Sequence, residues 1–174
     1  MSFRFKEAFE VTNAALTAAP ETATATFSAT SKLGDGVNSR VTVRQFTLDV
    51  DEPESLGGRD TAPNPVEYIL AALGSCQEIT YRLYADALGI PVYGVTVKLT
   101  GNIDLRGFFN VDPNVRPGYQ DIVADVTIDS PASEQDLARL KETVDRHCPV
   151  LDILANPTPV RTKLHLANGI EAAA

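Results

Sequence analysis

What the chain lacks narrows its function before any motif is read. Its 174 residues include only two cysteines, Cys76 and Cys148, and two histidines, His147 and His165. Two cysteines are too few for the disulfide framework of a small secreted protein, and a reducing compartment keeps such thiols free, so any disulfide between them is expected to be functional. The spacing of the four side chains matches no standard zinc finger, so neither a metal nor a cofactor is expected. Positive charge is also short: 15 Lys and Arg stand against 23 Asp and Glu, a net charge of −8, with the acids scattered along the chain. Such a surface repels phosphate backbones and anionic lipid, which excludes nucleic acid and membranes as main partners. No run approaches the roughly 20 apolar residues of a membrane span, and acids interrupt the opening MSFRFKEAFEVTNAALTAAP where a signal peptide needs a clean apolar stretch. The expected location is therefore cytoplasmic. No Gly-rich loop follows a predicted strand, which removes the phosphate-binding motif of nucleotide enzymes.

What is present suits one globular domain, with 44% hydrophobic and 22% charged residues. We divide it into an N-terminal extension (1–22), a core domain (23–168) and a C-terminal tail (169–174). Residues 1–20 read as a frayed helix. ATATFSAT alternates over 23–30 as a strand, Gly34-Asp35-Gly36 marks a turn, and 40–50 reads as the returning strand. The stretch DEPESLGGRDTAPNPVE breaks regular structure and ends in a helix start: Asn64 to cap, Pro65 at the first helical position, and Glu67 where a capping-box acid reaches back. That helix is expected to run to Leu88, with Gly89 stopping it. Its apolar stripe holds Ile69, Leu73, Cys76, Ile79, Thr80 and Leu83, and the small residues Ala71, Ala72, Gly74 and Ser75 allow another element to approach closely. Val95–Leu99 and Ile122–Ile128 alternate as strands, joined by a loop containing Phe108 and Phe109. A second helix starts near Ser130 or Ser133 and carries Leu137, Leu140, Val144 and Cys148 on one stripe until Pro149 interrupts it. A short helix over PVLDIL and a final strand over VRTKLHL complete the order. Strands, helix, strands, helix, strand describe an α+β fold with an antiparallel sheet packed on helices.

The two cysteines admit two readings. Each is a small apolar residue on a helical stripe, which is how buried cytoplasmic cysteines commonly serve. Alternatively, one attacks an oxidant and the other closes a disulfide on the resulting sulfenic acid. They stand 72 positions apart, so nothing local forces them together. A thiolate needs a nearby cation or helix amides to lower its pKa from about 8.5. Cys148, at the start of the PVLDIL helix, has the amides; mid-helix Cys76 needs a cation from elsewhere, and Arg40 and Arg44, on one face of the early strand, are the candidates. Glu67 has the chemistry to hold such an arginine by a bidentate pair, although the capping box already accounts for its position. His147, beside a helix end, balances the dipole there or serves as a base.

NPVEYILAALGSC, ending at Cys76, resembles the first cysteine helix of OsmC/Ohr-like proteins, and HCPVLDIL resembles their second cysteine segment, within a likeness that spans roughly Thr24 to Leu166. The resemblance is to the looser OsmC-like branch of that family. It implies antiparallel sheets wrapped around long central helices in an intertwined homodimer. It also implies a thiol peroxidase of peroxiredoxin-like chemistry for oxidative-stress defence. In that activity Cys76 attacks a small organic hydroperoxide, Cys148 resolves it, and a dithiol of the lipoyl type is the reductant. By the same resemblance Arg44 is preferred to Arg40 as the active-site arginine, with Glu67 as its partner. One departure stands out: the organic hydroperoxide resistance branch carries its glutamate directly after the proline, where this chain has Val66. Since one helical step turns a side chain by about 100°, Glu67 need not reach the arginine. The alternative function is a non-catalytic dimer that binds a small ligand in the same pocket. The hydroperoxide reading expects that pocket to be lined by Leu73, Phe108 and Phe109.

Overall fold

The computed structural model describes residues 4–167, so the expected tail at 169–174 lies outside the described residues. The elements are α1 (Lys6–Ala18), β1 (Thr30–Leu33), β2 (Ser39–Val43), β3 (Phe46–Val50), α2 (Pro65–Leu88), β4 (Gly94–Ile103), α3 (Leu105–Phe108), β5 (Tyr119–Asp129), α4 (Glu134–His147) and α5 (Pro149–Ala155). Two antiparallel sheets result, β1-β2-β3 and β4-β5. This is the expected mixture of helices and antiparallel sheet.

The 24-residue helix α2 organises the molecule. Its start is locked by the reciprocal capping box: the Glu67 amide donates to Asn64 Oδ1 at 2.9 Å, and the Asn64 amide donates to Glu67 Oε2 at 2.8 Å. Its end is set by Gly89 in the left-handed conformation, φ 69°. Between them one face lies on β4. Gly74 makes this possible, because a Cβ built there would come within 3.1 Å of a Leu99 methyl. The opposite flank of α2 meets α4 and α5. Tyr81, Ala85, Ile90, Val92, Leu140 and Val144 form the buried cluster, with Val95, Val126, Ile128 and Leu137 packed around it. Ser133 caps α4, its hydroxyl accepting from the Asp136 amide at 3.1 Å.

The N-terminal extension forms a helix of 13 residues docked on α2. Phe9 meets Tyr84 edge-on, with centroids 5.3 Å apart, and the Phe5 amide donates to buried Asp86 at 3.0 Å.

Three expected strands differ. The segment 23–29 carries no strand, and regular pairing begins only at Thr30. Its apolar side is three alanines and an exposed Phe27, which buries little surface, and β1 lies at a sheet edge. The strand expected over 40–50 is two strands folded on each other, turning at Arg44 and Gln45 with Arg44 at φ 54°. Finally, VRTKLHL forms no strand, and Val160, Leu164 and Leu166 are exposed. Its pattern suits a strand, but beyond an isolated bridge at His165 it joins neither sheet.

Candidate active site

The two cysteines meet. Helix α2 presents Cys76 toward the junction of α4 and α5, where Cys148 serves both as the last cap of α4 and as the first cap of α5. The Cys148 amide closes α4 on the Val144 carbonyl at 2.9 Å, and the Cys148 carbonyl accepts from the Asp152 amide at 3.0 Å to open α5. Pro149, lacking an N–H, sits where α5 needs none. The geometry places the sulfurs 3.4 Å apart, with the Cys148 thiol directed at Cys76 Sγ, and both cysteines are free.

Their environments differ. Cys148 is 0% exposed, whereas Cys76 is half-buried. Burial pushes the Cys148 thiol pKa up. The Leu151 amide opposes that shift, contact with Cys76 adds to it, and the Val150 amide opposes it weakly. The helix-start amides anticipated for Cys148 are thus present but outweighed by desolvation.

The other candidate residues are not gathered beside the sulfurs. Glu67 is held in the α2 capping box. Arg40 does not share a strand face with Arg44: Arg40 pairs across the hairpin with Asp49 at 3.0 Å, while Arg44 sits in the turn with its guanidinium 5.1 Å from the Phe46 ring centroid. The reason is the turn itself, which removes Arg44 from the strand. The sheet carrying both arginines meets α2 where the Tyr68 hydroxyl donates to the Asp49 carbonyl at 2.7 Å. His147 directs Nδ1 at the Thr143 carbonyl, 2.7 Å away, and its ring lies 4.9 Å from that of Tyr84. Nδ1–H therefore donates within α4.

An apolar cavity of about 470 Å³ opens beside this junction, with walls from Val66, Ile69, Leu73, Ile122, Leu151 and Leu154 and with Arg116 and Tyr119 at its margin. Leu73 is on its wall as expected, but Phe108 and Phe109 are not; they are exposed and pack edge-on against each other, centroids 5.1 Å apart. Their loop folds on itself through α3 instead of reaching over α2. Tyr119, unanticipated from sequence, anchors the cavity by donating its hydroxyl to the Val66 carbonyl at 2.9 Å, and burial raises its pKa. Gln77 was also missed. It is buried, and its signal was available: it stands four residues after Leu73 and three before Thr80, on the inward stripe of α2.

The family model for OsmC-like proteins matches residues 57–163, well over half of the chain. No curated protein matches it. Among solved structures, an OsmC-like protein of Mycoplasma pneumoniae superposes with a TM-score of 0.66 at 21% identity, covering 76% of this chain and 89% of its own. An organic hydroperoxide resistance protein of Elizabethkingia anophelis gives 0.61 at 19% identity over 78% and 92%. A protein of the same description from Legionella pneumophila gives 0.59 at 19% identity over 76% and 91%. At these identities the likeness establishes the shared fold.

Proposed function

The chain belongs to the OsmC-like family, and on that premise we propose that it is a thiol-dependent peroxidase that reduces organic hydroperoxides through Cys76 and Cys148 in defence against oxidative stress. One observation carries the reading: two residues 72 positions apart, each on a different helix, present their sulfurs 3.4 Å from one another. Two structural cysteines have no need of that contact.

The chemistry follows from the exposure of each sulfur. The Cys76 thiolate attacks one peroxide oxygen of ROOH, the O–O bond breaks, and the alkoxide leaves as the alcohol after taking a proton. Cys76 is then a sulfenic acid. Cys148 attacks the Cys76 sulfur, its proton joins the departing hydroxyl, and water and a Cys76–Cys148 disulfide result. A dithiol, of the lipoyl type by family likeness, returns both thiols. The apolar cavity beside Leu73 suits the organic part of the hydroperoxide.

The same proposal makes the working form a homodimer. Leu33, Phe46 and Leu48 are exposed on the β1-β2-β3 sheet, and the alternating segment 160–166 joins neither sheet, with only an isolated bridge at His165. A second copy supplies the cover and the strand edge that both lack. That arrangement would also bring an arginine of the β2–β3 hairpin, Arg44 by preference, toward Cys76.

A second reading has its own observation. Val66 occupies the position after the proline, and Glu67 is committed to the helix cap, so the acid needed to hold an arginine is otherwise engaged. This favours a non-catalytic dimer that binds a small apolar or thiol ligand. The test is to mix reduced protein with one equivalent of an organic hydroperoxide or of hydrogen peroxide and follow intact mass and free thiols over seconds. Rapid loss of both thiols into one intramolecular disulfide, abolished in Cys76→Ser, supports the peroxidase. Thiols that react no faster than free cysteine at equal pH overturn it in favour of the binding dimer.

A further inference from the structure

The apolar cavity is laid out along α2. Val66, Ile69 and Leu73 follow one another on its wall at helical spacing, and Cys76 lies about one turn beyond Leu73. The cavity therefore leads away from the sulfurs toward the start of α2, and from Leu73 to Val66 the helix advances about 10 Å. Tyr119 stands at that far end, its hydroxyl donating to the Val66 carbonyl at 2.9 Å. Three features hold the ring there. The first is a β-bulge. Along β5 the inward side chains are Ile122, Val126 and Ile128, so unbroken alternation would turn Tyr119 outward with Asp121 and the exposed Val123. Instead Asp121 lies opposite Asn102 and Tyr119 opposite Ile103, with Gln120 as the extra residue between them. That single insertion returns Tyr119 to the inward face. The second is Gly101, where a Cβ would stand 2.5 Å from the Tyr119 ring. The third is the hydroxyl's bond to Val66, which α2 itself does not require, because carbonyls at the start of a helix already have intrahelical partners.

We propose that Tyr119 is a specificity-determining residue, the end wall that limits the length of the apolar chain this site accepts. With the peroxide at Cys76 the first carbon of the chain lies one turn away, at Leu73, and the remaining carbons run past Ile69 to Val66 and the Tyr119 ring. An extended alkyl chain advances about 1.25 Å per carbon at ordinary bond lengths and angles, so the 10 Å from Leu73 to Val66 holds about eight carbons. The substrate class is then a primary hydroperoxide with an unbranched chain of up to about eight carbons. Each methylene within that length leaves water for the cavity wall, and those beyond it gain nothing. This rests on the peroxidase reading, which seats the organic part of the hydroperoxide in this cavity.

The test uses 1-alkanols, the products of reducing such hydroperoxides, because their binding does not depend on turnover. Reduced protein is titrated calorimetrically with the series from 1-hexanol to 1-decanol. The expected affinity rises by about fourfold per methylene up to about 1-octanol and by less than about twofold from there to 1-decanol. In Tyr119→Ala the rise continues through 1-decanol, and n-decyl hydroperoxide overtakes n-octyl hydroperoxide in kcat/KM, a change in the order of substrates that a merely loosened fold does not produce. Should Tyr119→Ala lose its cooperative unfolding transition, Tyr119→Val, better suited to a strand, carries the same expectation. Absence of alkanol binding, an affinity that climbs without a break to 1-decanol in the wild type, or a limit left in place by the Tyr119 variants overturns the proposal. Failure of the peroxidase reading is separate: no alkyl hydroperoxide is then consumed, while the alkanol limit and its shift in the Tyr119 variants remain and describe the ligand of the binding dimer.

Discussion

Joining Cys76 to Cys148 is expected to raise the thermal midpoint of the chain by about 10 °C. The sulfurs are 3.4 Å apart as free thiols, and a disulfide needs about 2.05 Å, so the closure is within reach of small side-chain rotations. Both helices are already packed on each other around Leu140 and Val144, so the native state has little to rearrange. The main effect falls on the unfolded chain. A cross-link across 72 residues removes loop-closure entropy worth about 4 kcal/mol at 25 °C. For a chain of this length each kcal/mol moves the midpoint by about 2–4 °C. Differential scanning calorimetry of reduced and diamide-oxidised protein at one fixed concentration measures the shift, the fixed concentration being necessary if the copies associate. Cys148→Ser is the control and should not respond to the oxidant. An unchanged or lower midpoint, in protein whose mass shows loss of two hydrogens, would refute the reasoning, because it would mean that closure strains the α2–α4 packing by as much as the cross-link stabilises.

Three further outcomes follow from individual contacts. In Cys148→Ser, hydroperoxide should leave Cys76 as a sulfenic acid that a dimedone-type reagent traps in stoichiometric amount; absence of the adduct would show that Cys76 is not the attacking sulfur. Asn64→Ala removes half of the α2 capping box and should cost about 1 kcal/mol, read as a fall of about 3 °C in the midpoint. Asp51, almost completely buried, accepts from the Thr61 hydroxyl and from the Glu52, Thr61 and Arg59 amides, and these bonds draw its pKa from 3.8 to about 2. A folded pKa below the unfolded one means that this stabilisation is present above about pH 4 and is lost as the pH falls toward 2. Urea unfolding at stepped pH should show Asp51→Asn less stable than wild type at neutral pH, with a shallower loss across that window.

The sequence was readable where a local rule decides the structure. Asn64, Pro65 and Glu67 specify the start of α2 through bonds made within one helical turn, and Gly89 specifies its end through a backbone conformation that other residues resist. The alternations of β4 and β5 succeed because one face of that sheet rests on α2. Reading failed where the deciding contact is distant or the local signal is missing. The turn at Arg44 contains neither Gly, Pro nor Asn, so β2 and β3 looked like one strand. The segment 160–166 carries a strand pattern, but a pattern is only half of a strand, and no rule of alternation supplies the partner. The meeting of the two cysteines belongs to the same class, since it depends on how α2 crosses the α4–α5 junction. Gln77 is different: a polar residue on an apolar stripe was visible in the sequence.

The division of labour proposed for the sulfurs shows how burial can reverse a local argument. Position alone favours Cys148 as the nucleophile, because it opens a helix and receives the amides of Val150 and Leu151. Those amides stabilise an anion only in proportion to the charge the site will tolerate, and a sulfur with no exposed surface tolerates little, so desolvation keeps Cys148 protonated. A hydroperoxide must also touch the sulfur that attacks it, and of the two only Cys76 has surface to offer. On the proposed mechanism the penalty on Cys148 becomes useful. A thiol that retains its proton survives the oxidant, lies 3.4 Å from the sulfur that does not, and brings with it the proton that the sulfenic hydroxyl needs to leave as water. The helix-start amides then serve the second step, when Cys148 must part with that proton as it closes on Cys76.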